Sequence, residues 1–210
     1  MIFVMMGMQG SGKGTQANFL SKLLDLEHIS LGERFRKDIF QKTELGNLVQ
    51  QYLSKGQLVP DSIVMERIEH LFAKKNNGFV FDGFPRTIPQ AEYLTKKHPI
   101  RRVFYLVLND EMAINRMLAR RICTKCKKDY NLLVNSPHIE GQCDLCGSMI
   151  ERRADDTPEL IKNRLELFHQ ETAPLIHYYK QNHLLSSINA VGDIQLINKK
   201  ILKEIIINSK

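Results

Sequence analysis

The chain has 210 residues, with 30 Lys and Arg against 23 Asp and Glu, for a formal charge of +7. That length suits one to two domains, and 43% apolar residues supply a sizeable core. With 25% charged residues and only 12 Gly and 7 Pro, collagen-like, low-complexity and disordered classes are excluded, and the basic surplus points to an anionic partner.

In chain order, residues 1–6 (MIFVMM) are continuously apolar, as in a parallel strand covered on both faces. They are too short for a signal peptide and lack a basic leader, and no apolar run approaches the roughly 20 residues of a membrane span. The expectation is a soluble, cytoplasmic protein with no membrane partner. Helical spacing follows over 14–24 at Ala17, Leu20, Leu23 and Leu24. A short strand is expected at 28–30 and a mainly helical, polar stretch at 31–55. Pro60-Asp61-Ser62 opens a helix with Ile63, Val64, Ile68, Leu71 and Phe72 on one side, and Asn76-Asn77-Gly78 ends it. Strands at 79–82 and 103–108 and a helix over 110–121 follow. Thr157 as N-cap and Pro158 at the first helical position open a long helix, which Pro174 kinks or restarts. A strand at 187–191 and a helix at 194–207 close the chain. This alternation predicts an α/β fold: a doubly wound parallel sheet of about five strands with helices on both faces.

Four cysteines interrupt the alternation. Cys123, Cys126, Cys143 and Cys146 have the spacing C-x2-C, 16 residues, C-x2-C, which matches a four-thiolate zinc site. Two disulfides or four bare thiols are the alternatives, and an intracellular setting argues against the former. Four protein ligands leave no open position, so such a site is structural.

Gly7-Met8-Gln9-Gly10-Ser11-Gly12-Lys13-Gly14-Thr15 lies between the first strand and the first helix. That is the setting of a P-loop, where glycine N–H groups, the helix N-terminus and a lysine gather around phosphates. Gly14 stands where the general pattern carries a magnesium-binding Ser or Thr, and Thr15 comes one residue later. A second anion site is expected at Asp82-Gly83-Phe84-Pro85-Arg86-Thr87, at the carboxyl end of a strand. There Asp82 could hold Mg²⁺ through water, and Arg86 could grip a phosphate with its planar fork.

GSGKGTQ at 10–16, LGERFR at 31–36, GQLVPD at 56–61, DGFPRTIPQ at 82–90, ARR at 119–121, RADD at 153–156 and TAPLI at 172–176 occur in that order. Together they resemble the adenylate kinases, in the long form whose lid carries a zinc knuckle. The resemblance implies a P-loop core of 1–29, 60–121 and 155–210, a mobile NMP-binding insertion of 30–59, and a small zinc-binding lid of 122–154. It implies Mg²⁺-dependent, reversible transfer of the γ-phosphoryl of ATP to AMP, giving two ADP.

By the same resemblance, Lys13, Arg86, Arg120, Arg153 and Arg164 are catalytic. Gly10, Ser11, Gly12, Lys13, Gly14, Thr15 and Arg120 bind ATP, joined by Asp129, Tyr130 and Gly192. Leu31, Arg36, Gln57, Leu58, Val59, Gly83, Phe84, Pro85, Arg86 and Gln90 bind AMP, with Arg153 and Arg164 reaching across the transferring group. Asp155 and Asp156 orient arginines. Structural Zn²⁺ on the four cysteines, Mg²⁺ with ATP and a monomeric state complete the expectation. Leu31 departs from the family's Thr or Ser, and Gln9 from its Pro. Leu31 keeps open a kinase for UMP, CMP or GMP. The charge and the knuckle also suit a zinc-ribbon, nucleic-acid-binding ATPase, but the chain has no Trp and no basic stretch interleaved with aromatics.

Overall fold

The computed structural model describes residues 1–73 and 77–207. Its elements run β1 (Ile2–Met6), α1 (Lys13–Leu24), β2 (Glu27–Ser30), α2 (Leu31–Phe40), α3 (Glu44–Leu53), α4 (Asp61–Phe72), β3 (Phe79–Asp82), α5 (Ile88–Lys97), β4 (Ile100–Val107) and α6 (Asp110–Leu118). Then follow β5 (Arg120–Cys123), β6 (Asp129–Asn131), β7 (Ile150–Arg152), α7 (Pro158–Leu167), α8 (Pro174–Gln181), β8 (Leu185–Asn189) and α9 (Ile194–Ile207). No helix among the described residues is long and apolar enough to cross a membrane.

Five strands form a parallel sheet in the order β2-β3-β1-β4-β8. All five residues of β1 are buried. Strand alternation sends Ile2, Val4, Met6, Phe79 and Phe81 to one face, under Ile68, Leu94 and Leu175 of α4, α5 and α8. Phe3, Met5, Val80 and Phe104 face the other way, under Leu20, Met117, Ile161 and Ile201 of α1, α6, α7 and α9. Each such fully buried side chain contributes roughly 1.5–3 kcal/mol. The continuous apolar run of β1 thus reflects a sheet covered on both sides.

Several boundaries differ from expectation, each for a local reason. The stretch 31–55 is two helices: Lys42 takes a left-handed φ of 53°, and Thr43 caps α3 by accepting from Gly46 N at 3.0 Å. At Gly46 a Cβ would collide with the carbonyl of Asp38, so glycine lets α2 and α3 approach. The helix expected over 110–121 stops at Leu118. Arg120–Cys123 is instead the central strand of a small antiparallel sheet, β6-β5-β7, built around the cysteines. Helix α5 was not anticipated: Thr87 caps it, and Pro89 lies in its first turn. The fourth strand starts earlier than expected, at Ile100, and the last spans Leu185–Asn189 instead of 187–191. After α7 the chain winds through one π-helical turn, with Ala173 N bonded to Phe168 O at 2.7 Å, before α8 starts at Pro174. Proline has no N–H to continue the α-helical ladder. Asn76, expected to help end α4, lies outside the described residues.

Candidate functional site

The carboxyl ends of β1 and β3 open into a cleft of about 670 Å³, the position at which open α/β sheets bind ligands. Its floor is the glycine loop. Gly7, Gly10 and Gly12 take φ of 142°, 83° and 90°, a region that side chains disfavour. A Cβ on Gly7 would also lie 2.7 Å from Leu106 O and 2.8 Å from Ser11 Oγ. Gly12 is the N-cap of α1, so the free N–H groups of that helix face the loop. Lys13 curls back, and its Nζ donates to Met8 O at 2.7 Å. Burial, opposed by Asp82 and reinforced by Arg86 and Arg120, lowers the Lys13 pKa to about 8.

Gly14 explains its own departure from the general loop pattern. A Cβ there would come within 3.2 Å of Asp82 Oδ2. Asp82 ends β3 and pairs in register with Met5, which places its carboxylate beside the loop. His28 Nε2 sits 4.0 Å from the same oxygen.

The second end of the cleft follows β3. Gly83 takes φ 70°, and Arg86 folds back so that its Nε donates to Gly83 O at 2.9 Å. Gln90 Nε2 donates to Asp61 Oδ1 at 2.6 Å, and Gln90 Oε1 accepts from Arg86 N at 2.8 Å. Arg36 reaches in from α2 over Gly32, where a Cβ would lie 3.3 Å from its Nη1. Burial first, then the nearby positive charges of Arg153 and Arg120, lower the Arg36 pKa to about 10, against the pull of Asp155 and Glu33. Burial likewise depresses Arg86, partly offset by Asp82. Leu31, Gln57, Leu58, Val59, Gly83 and Pro85 line this end. The Phe84 side chain is turned away, 1% exposed in the core, with its ring 5.3 Å from that of Phe81.

The roof carries arginines of a different kind. Arg120 meets Asp156 through Nε at 2.7 Å and Nη2 at 2.6 Å. Arg164 bonds Asp156 Oδ1 at 3.2 Å and Asp155 Oδ2 at 2.7 Å. Arg153 meets Asp155 at 3.0 and 2.7 Å. Burial opposes ionisation of Asp155, but Arg153 and Arg164 prevail and hold its carboxyl well below the usual range. Among the described residues, Arg120, Arg153 and Arg164 are therefore ion-paired, whereas Lys13, Arg36 and Arg86 have no carboxylate within 4.0 Å. Half-buried cations with no countercharge are costly, so these three side chains suit an anion that the protein does not itself supply.

The four cysteine sulfurs lie within 4.8 Å of one another. Cys123 and Cys146 Sγ are 3.5 Å apart and Cys126 and Cys143 Sγ 3.4 Å, so all four thiols are free. Tetrahedral zinc, with Zn–S near 2.3 Å, needs sulfurs about 3.8 Å apart. The donor set and spacing fit that ion. Tyr130 belongs to this cluster: its hydroxyl donates to Cys143 Sγ at 3.3 Å and accepts from Asp144 N at 2.7 Å. It is 2% exposed, yet it also borders the cleft, as do exposed Asp129 and Gly192, whose φ is 110°. Across the cleft, Lys127 Nζ lies 5.7 Å from the Phe40 ring centroid, joining the first cysteine turn to the end of α2.

Three further residues shape the site without having been anticipated as site residues. Arg116 is 9% exposed and holds Ala190 O at 3.0 Å and Gly10 O at 3.4 Å, tying the last strand to the glycine loop. Its signal was an arginine four residues before Arg120 on a helix. Asp61, the first residue of α4, makes no cap bond and holds Gln90 instead. Thr172 Oγ1 donates to Arg86 O at 3.0 Å.

Comparison with known proteins decides among the kinases that this geometry allows. The family model described as adenylate kinase matches residues 5–184. The chain belongs to the adenylate kinase family. It is 40% identical over 210 residues to the adenylate kinase of Ruminiclostridium cellulolyticum, covering 97% of this chain and 98% of that protein. The adenylate kinase of Caldicellulosiruptor bescii is 41% identical with the same coverage, and that of Methanothrix thermoacetophila is 41% identical over 97% of both chains. Family membership therefore spans the loop, both ends of the cleft and the cysteine cluster.

Proposed function

We propose that the protein transfers the γ-phosphoryl group of ATP to AMP, giving two ADP, and runs the reverse reaction equally as mass action requires. One observation carries this reading: Lys13, Arg36, Arg86, Arg120, Arg153 and Arg164, each on a different element or turn, converge on a single cleft. A triphosphate and a monophosphate placed end to end account for six cations there.

Phosphoryl transfer asks for positioning and charge stabilisation more than covalent chemistry. Gly10, Ser11, Gly12, Gly14 and Thr15 surround the ATP phosphates, and Lys13 lies at the β,γ junction. Arg120 follows the leaving phosphate, while Arg36 and Arg86 hold the acceptor phosphate. Arg153 and Arg164 enter above the transferring group, and Asp155 and Asp156 keep them aligned. Leu31, Gln57, Leu58, Val59 and Gln90 enclose the AMP base, with Gly83, Phe84 and Pro85 shaping the turn beneath it. Asp129, Tyr130 and Gly192 border the ATP base and ribose. Magnesium, when bound with ATP, would neutralise phosphate charge, and Asp82, beside the glycine loop, would hold it through water.

Water must be excluded or ATP is hydrolysed. The segments 30–59 and 122–154 are the movable pieces, closing on a core of 1–29, 60–121 and 155–210. Zinc on Cys123, Cys126, Cys143 and Cys146 stiffens the second of these, which is too small for a core of its own. The protein acts as a cytoplasmic monomer. Coupled detection of ADP with ATP and each of AMP, UMP, CMP and GMP tests the reading, with metal content measured on the same sample. AMP-dependent ADP formation is expected; its absence overturns the proposal, and a preference for UMP, CMP or GMP transfers the site to that substrate.

A further inference from the structure

Gln90 is held from two sides by groups that can bond it in only one way. Its Nε2 donates to Asp61 Oδ1 at 2.6 Å, and its Oε1 accepts from Arg86 N at 2.8 Å. A carboxylate only accepts and a peptide N–H only donates. Turning the amide over would set oxygen against oxygen and N–H against N–H. Both anchors are themselves fixed. Asp61 Oδ2 takes a second hydrogen bond from Thr87 Oγ1 at 2.9 Å, and Thr172 Oγ1 holds the Arg86 carbonyl, one peptide on from the N–H that Gln90 accepts, at 3.0 Å. Gln90 is 2% exposed, so solvent offers no substitute partners.

A glutamine amide has two N–H donors and two acceptor lone pairs. With one of each used internally, Gln90, which lines the cleft, keeps one donor and one acceptor in fixed places for a ligand. An adenine edge offers the complement, an amino donor beside a ring-nitrogen acceptor. A 6-oxo purine does not: on one edge its donor and acceptor are exchanged, and on the other it shows two acceptors.

We propose that Asp61 is a positioning residue that locks the Gln90 amide in the orientation that admits a 6-amino purine and rejects a 6-oxo purine. This rests on the reading above that Gln90 faces the monophosphate base. The lock supplies discrimination that Leu31, with no side-chain hydrogen bond to offer, cannot.

The test compares AMP with IMP, which differ at the 6-position and N1 alone, using full-length protein and saturating ATP. The wild type is expected to favour AMP by at least about a hundredfold in kcat/KM, because a site wired for one hydrogen-bond pattern strands its buried groups against the other. Asp61→Asn keeps the shape but offers a donor as well as an acceptor, and is expected to lower the AMP/IMP ratio about tenfold, mainly through KM. The KM for ATP stays unchanged. Thr87→Val removes the α5 cap and one bond to Asp61 but leaves the carboxylate facing Gln90; it lowers melting temperature and keeps the ratio within about twofold. Gln90→Leu separates the two levels of the argument. If it collapses the ratio while Asp61→Asn does not move it, the lock is wrong and the role of Gln90 stands. If Gln90→Leu leaves the ratio intact, that role fails and the lock with it. Equal use of AMP and IMP by the wild type overturns the lock even where Asp61→Asn does not fold.

Discussion

The carboxylate of Asp156, 0% exposed, clasps Arg120 with both oxygens, at 2.7 Å to Nε and 2.6 Å to Nη2. The same group also takes Arg164 Nη1 at 3.2 Å. Asp156→Asn leaves two guanidiniums with too little negative charge between them, and removing one partner of a buried ion pair typically costs about 3–5 kcal/mol. Urea denaturation should show a loss in that range, together with a fall in kcat as Arg120 and Arg164 lose their alignment.

Asp155 sets how the roof responds to acid. Burial works against its charge, yet Arg153 and Arg164 hold its carboxyl well below the ordinary range. A depressed carboxyl stabilises the fold fully above the unfolded pKa, about 3.9, and loses that contribution as pH falls toward the lower folded value. The stability difference between wild type and Asp155→Asn should stay constant from about pH 7 to about pH 5 and shrink below about pH 4. A difference that grew on acidification would contradict the ion pairing.

Lys13 behaves in the opposite sense, at the alkaline end. Its folded pKa is about 8 against an ordinary 10.5, chiefly through burial. Between those values the unfolded chain binds more protons, so stability rises with pH across that window, by up to about 3 kcal/mol. A bound triphosphate restores the charge on Lys13. Nucleotide binding near pH 8.5 should therefore take up a fraction of a proton, seen by calorimetry in buffers of high and low ionisation enthalpy. Lys13→Gln should abolish that uptake.

The hydroxyl of Tyr130, bridging Cys143 Sγ and Asp144 N, orients one ligand of the cysteine cluster. Losing such an outer hydrogen bond costs roughly 10–100-fold in metal affinity. Tyr130→Phe should release zinc to a competing chelator at least about tenfold more readily. Stripping the wild type with chelator should lower its melting temperature more than its initial rate at low temperature; equal melting temperatures with and without chelator would count against a structural metal.

Much of this fold is legible in the amino-acid sequence where residues act locally. The glycine loop, the apolar β1, the cysteine spacing and the strand that ends in Asp82 each carry their signal within a few adjacent residues. Helix α5 had such a signal too: Thr87, Pro89 and Gln90 form a capping sequence, but the glycine-proline turn before them reads as loop. The three-residue strands around the cysteines have no periodicity to detect. Arg120–Cys123 continues the helical pattern of α6, and only pairing with β6 and β7 makes it a strand. Phe84 shows the limit at the site itself. It lies within the most distinctive motif of the chain, yet the turn at Gly83 sends its ring into the core. Asp61 shows the converse, since its partner Gln90 is 29 residues away.

Lys127 over the ring of Phe40 makes direct contact between the two segments that flank the cleft. Neither side chain lines the cleft. If the two segments part to release nucleotide, this exposed contact, remote from either ligand, is one that must break first.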